Sequence, residues 1–129
     1  MVSVPPEFTE VFWETWATML AFRRLGFAKE DLYFVYNNHH SFVQVMLYDA
    51  RPPEGPPDFT ADCGHIPRRP YDVVRQAWEQ FAEAGNQLSA EESDARWRAS
   101  WIARNSVSFL LALQRKGVRI RREPSDGVM

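Results

Sequence analysis

Apolar positions along this chain recur first at a helical period, then at a strand period, then at a helical period again, and each change marks an element. From Glu7 to Leu25, Phe8, Val11, Phe12, Trp13, Trp16, Met19, Leu20 and Phe22, spaced at about 100° per residue, cover more than half of a helix circumference. Glu7, Glu10, Glu14 and Thr18 hold the remaining polar stripe. A helix apolar over so wide an arc must pack against two surfaces rather than one. Its early acids and its late arginines, Arg23 and Arg24, suit the helix dipole. Gly26 followed by Phe27 predicts a left-handed C-cap with an apolar contact after it.

The period then shortens. Leu32–Asn37 and Phe42–Tyr48 are rich in aromatic and β-branched residues and flank the turn Asn37-Asn38-His39-His40, which predicts a β-hairpin. Neither strand alternates cleanly: Phe42, Met46 and Tyr48 are apolar, and so are Val43, Val45 and Leu47. Both faces of the sheet are therefore expected to be covered, one of them by helices. Arg51-Pro-Pro-Glu-Gly-Pro-Pro57 is a stiff loop, and Asp58–Cys63 is expected to return as a third antiparallel strand.

Pro70 opens a second helix through Tyr71, Val74, Trp78 and Phe81, ending at Gly85-Asn86. Ser89 and Glu92 form a capping-box signature for a third helix, Ala90 to Lys116, which Gly117 ends. Val118–Arg122 alternates apolar and basic residues, the pattern of a short edge strand joining the sheet beside an early one. The order α-β-β-(β)-α-α-β predicts an α+β fold, a small antiparallel sheet of three or four strands with three helices. The 129 residues are read as a single domain, 1–129, with a frayed tail from Pro124.

Composition adds three constraints. A single cysteine, Cys63, excludes an intrachain disulfide and fits a reducing compartment. No apolar run is long enough to span a bilayer, so the expectation is a cytoplasmic protein with no membrane contact. Charge is divided unevenly: residues 1–95 carry 7 Lys/Arg against 15 Asp/Glu, and residues 96–129 carry 8 against 2. A basic end on an acidic body favours self-association over a nucleic-acid partner.

The aromatic content, 14%, exceeds what a minimal core needs, and it directs attention to the third helix. With Ala95, Ala99, Ile102, Ser106, Phe109, Leu110 and Leu113 on its core face, Trp97, Trp101 and Arg104 fall on the opposite side. A buried tryptophan removes on the order of 200 Å² from water, several kcal/mol. Trp97 and Trp101 with Arg98 and Arg104, joined by Trp13 of the first helix, are the candidate contact residues. Tryptophan and arginine are the composition of interface hot spots. The expected function is a protein-interaction domain acting through an aromatic surface as a homodimer, or with a different protein partner. Packing of Trp97 and Trp101 into the chain's own core is the competing arrangement. Stacking of single-stranded nucleic-acid bases on the same residues is a further alternative, which the acidic body disfavours.

An enzyme or metal protein is the competing class. Pairing of the third strand back on Phe42–Tyr48 sets Cys63 opposite about Val43 and His65 opposite about Ser41, at the sheet end that carries His39 and His40. One thiolate and three imidazoles are an acceptable tetrahedral zinc set, and a Cys beside a His is also a nucleophile pattern. The spacing Cys-x-His is not diagnostic of zinc, and no phosphate loop, G-x-S-x-G elbow or H-E-x-x-H is present. No catalytic residues are assigned.

Overall fold

The computed structural model describes residues 4–121. α1 (Pro6–Arg24) is followed by a 3₁₀ turn at Lys29–Asp31, β1 (Leu32–Asn37), β2 (Phe42–Leu47), β3 (Phe59–His65), α2 (Tyr71–Gly85), α3 (Ala90–Ala99), α4 (Trp101–Arg104) and α5 (Ser106–Arg115). The fold is α+β. The three strands form one antiparallel sheet in the order β1-β2-β3.

The wide apolar arc of α1 has the consequence expected of it. One side of the helix lies on β2 and β3, and the other meets α2, α3 and α4. Phe8, Phe12, Ala17, Ala21 and Phe22 are wholly enclosed. Phe12 meets Trp78 at 5.5 Å, Phe81 at 5.4 Å and Phe34 at 6.2 Å between ring centroids, the last three belonging to α2 and β1. Thr15 and Thr18 are buried too, Thr18 despite its place on the polar stripe. Each hydroxyl donates to the carbonyl four residues back, Val11 and Glu14 respectively, so neither is left unpaired. α1 closes on the expected C-cap: Gly26 takes φ 97°, its N–H donates to Arg23 O, and Phe27 N–H donates to Phe22 O. The Phe22 and Phe27 rings meet at 6.0 Å, the apolar contact that accompanies this cap.

Leu32, Tyr36, Val43, Val45 and Leu47 are buried on the sheet face towards α1. Their alternates Tyr33, Val35, Phe42 and Met46 are half-buried on the outer face. The Pro-rich loop is held by its own polar groups: Arg51 donates to Glu54 O and Pro56 O and pairs with Asp58, while the Tyr48 hydroxyl donates to Gly55 O.

Two further differences concern the second half. The single helix expected from Ala90 to Lys116 is three helices, broken at Ser100 (φ −77°, ψ 151°) and Asn105 (φ −117°, ψ 29°). Ser100 Oγ accepts from Ala103 N–H and donates to Trp97 O, capping α4 while closing α3. The capping box at Ser89 and Glu92 forms as expected. Residues 118–121 form no strand. Val118 folds back, its N–H on Leu113 O, and Arg121 N–H donates to Leu25 O beyond α1. Arg121 also pairs with Asp49. Arg122 and the tail from Pro124 lie outside the described residues. No helix among those described is long and apolar enough to cross a membrane.

Since Phe12 joins the sheet, α1 and α2, Phe12→Ala is expected to destabilise the protein by about 3–5 kcal/mol. Urea denaturation measures this. A loss below about 1 kcal/mol, the range of a surface change, contradicts the central placement of this ring.

Candidate interaction surface

The helix break at Ser100 sorts the two tryptophans that a continuous helix groups together. Trp97 is 1% exposed and Trp101 is 56% exposed. Trp97 belongs to the core, with the Arg24 guanidinium 4.7 Å from its ring centroid. Trp13 is half-buried, edge-on to Trp16 at 5.6 Å and Phe81 at 4.6 Å, with Arg96 over its face at 4.3 Å. Arg98 pairs with Asp94 along α3 at 2.9 Å. Of the candidate contact residues, Trp101 and Arg104 remain exposed without a salt bridge among the described residues.

Trp101 is set in place by a residue that the sequence assigns only to a polar stripe. Glu14, on the polar stripe of α1, accepts a hydrogen bond from Trp101 N–H at 2.7 Å. A carboxylate at the start of α4 satisfies an N–H that has no partner within the helix. The indole therefore stands at the mouth of a groove of about 520 Å³ that runs between β3 and α4–α5. Phe59, Ala61, Ile102, Phe109 and Ala112 give the groove apolar walls. On α5, beside the groove-lining Ser108 and Ala112 in sequence, Val107 and Leu111 are 68% and 45% exposed. β3 is the outer strand on this side and, among the described residues, pairs only with β2, so alternate peptide groups along it face the groove rather than a neighbouring strand.

β3 also separates the Cys and His residues. Its register runs Phe42↔His65 and Val43↔Gly64, then shifts so that Gln44 faces Asp62. Cys63 is the extra residue of this bulge. One extra residue exchanges the two sides of the strand. Cys63 turns inward onto α1, its sulfur 3.8 Å from Thr18 Oγ1, while His65 turns outward and lies on Phe42 at 3.9 Å between rings. Gly64, at φ 131°, allows the close approach, since a Cβ there would stand 3.1 Å from Val11 Cγ2. His39 and His40 are exposed at the hairpin turn, where their N–H groups donate to Asn37 Oδ1. The structure does not gather the four side chains. Among the described residues, no three His, Cys, Asp or Glu side chains are grouped to hold a metal ion.

No protein-family model matches this chain, and searches of curated proteins and of solved structures returned no match either. The surface therefore has to be read from its own chemistry.

Burial pushes the Cys63 thiol up to about 11, against weaker opposing hydrogen bonds from Thr15 and Thr18. At neutral pH it is a protonated, enclosed thiol. Native protein is expected to react with a thiol reagent only as fast as it unfolds, whereas denatured protein reacts at once. Immediate native-state labelling contradicts the placement. The folded state keeps this proton to about 11 and the unfolded chain only to about 8.5. Cys63 thus contributes stability that is complete below about 8.5 and lost as the pH rises through about 11. Stability measured against Cys63→Ala across that window should fall faster for the unsubstituted chain.

Proposed function

We propose that this protein is a protein-interaction domain that works as a homodimer, two copies meeting along β3 with Trp101 at the centre of the contact. The observation that carries this reading is the coincidence, on one side of the molecule, of an unpaired strand edge, an apolar groove and an indole 56% exposed. An exposed edge accepts another extended strand through main-chain hydrogen bonds, and adjacent grooves accept its side chains. A second copy satisfies both requirements about a twofold axis, because each copy presents the same edge and the same indole.

Charge supports a second copy over an unrelated strand. Asp62 lies on the β3 side of the groove. Arg104, three residues after Trp101 on α4, is an exposed cation without a salt bridge among the described residues. A twofold contact offers each arginine the other copy's carboxylate. The exposed Val107 and Leu111 extend the apolar area that such a contact encloses.

Light scattering over a concentration series tests the reading. The full chain is expected to show twice the chain mass. Trp101→Ala, which removes an anchor worth about 2 kcal/mol or more, should raise the dimer dissociation constant at least about thirtyfold with unchanged circular dichroism. A wild-type chain that stays monomeric at every concentration contradicts it, as does a dimer indifferent to Trp101→Ala.

A further inference from the structure

On the opposite flank, bounded by α1, α2 and the outer edge of β1, lies a second cavity of about 490 Å³. This volume falls within the range of small-molecule sites, about 300–1,000 Å³. Its interior is built of rings and aliphatic side chains that the core already holds in place. Phe34 and Trp78 lie parallel, 5.0 Å apart with 5° between their planes, and both line it. Trp16 forms another wall, and its pyrrole edge rests on Gly85, where a Cβ would stand 3.2 Å from Cδ1 and 3.3 Å from Nε1. A glycine at this point of α2 lets the indole lie flat against the helix. Rigid apolar walls of this kind receive a ligand without first reorganising.

The charge at the cavity is opposite to that of the chain. Arg23, Lys29 and Arg75 line it against one carboxylate, Glu79, in a protein of net charge −2. Arg75 is committed, its guanidinium donating to Glu79 at 3.2 Å and to the Tyr71 hydroxyl at 3.0 Å. Arg23 and Lys29 are exposed and make no salt bridge or side-chain hydrogen bond among the described residues. They come from different elements, the last turn of α1 and the 3₁₀ turn after it, yet converge on the same cavity.

We propose that this cavity binds a small amphipathic organic anion, its flat or aliphatic apolar body against Trp16, Phe34 and Trp78 and its anionic head between Arg23 and Lys29. The apolar walls supply affinity through burial. The two cations orient the ligand and select against its neutral counterparts, since an anion removed from water needs charged or hydrogen-bonding partners. This site is independent of the β3 groove and does not depend on the dimer.

8-Anilinonaphthalene-1-sulfonate, an aromatic body with one sulfonate, is a direct probe, titrated by fluorescence into the full-length protein. The expected result is one saturable site per chain, with energy transfer from tryptophan. Arg23→Gln with Lys29→Gln should weaken it about tenfold, Arg23→Glu with Lys29→Glu further, and Trp101→Ala not at all. N-phenyl-1-naphthylamine, the same body without the sulfonate, should bind at least about tenfold more weakly. Both charge substitutions are at exposed positions, and cooperative urea unfolding confirms that the variants fold. Three results would overturn the proposal: no saturable binding, equal affinity for the neutral probe, or binding indifferent to Arg23 and Lys29. Loss of binding on Trp101→Ala would move the site to the β3 groove and overturn it as well.

Discussion

The enclosure of α1 on two sides is the constraint on which the rest of this structure depends. An amphipathic helix lying on a sheet needs only one apolar stripe. Here the first helix of the chain carries apolar side chains around more than half of its girth, and every later element is placed to shield part of it. β2 and β3 take one side; α2, α3 and α4 take the other. The few polar groups on the helix are absorbed locally. Thr15 and Thr18 turn their hydroxyls back onto α1, and Glu14 reaches forward to cap α4. The last of these couples the centre of the fold to its surface, because the same carboxylate that borders the core helix fixes the start of the helix carrying Trp101.

Much of this arrangement is legible in the residues themselves, for identifiable reasons. The double-sided packing of α1, its Gly26 cap, the hairpin, the third strand and the Ser89 capping box all rest on local patterns that tertiary contacts then reinforced. What the sequence concealed depended on one or two backbone angles. Ser100 and Asn105 are residue types that cap helices, but they sit inside an unbroken apolar rhythm, and the periodicity outweighed them. Once the helix breaks at Ser100, a projection through the break has no meaning, and Trp97 moves from the outside to the core. The β3 bulge has the same character. An alignment of Cys63 and His65 with β2 comes within one residue of the observed register, and one residue is enough to send the thiol inward and the imidazole outward.

The aromatic surplus is mostly consumed within the chain. Phe12, Phe34, Trp78 and Phe81 form a continuous set of edge-on, tilted and stacked rings, and arginines lie over the faces of Trp13 and Trp97. The Trp–Arg composition that suggests hot spots thus serves largely as internal packing, in which guanidinium groups lie against ring faces. What remains outside is divided between two flanks of different chemistry. The β3 side offers an indole, a strand edge and an apolar groove. The β1 side offers a walled cavity under uncommitted cations. Neither cavity is legible in the residues alone, since each is assembled from three or more elements distant in sequence.

Hydrogen exchange of the native protein tests the central claim most directly. If α1 is the shared core of every other element, the amides of Phe12 to Phe22 open only when the whole molecule unfolds. Their exchange free energies should then equal the global stability measured by denaturant and fall together with it as urea is added. Exchange of these amides through a smaller opening, while β2 and α5 stay protected, would contradict the account.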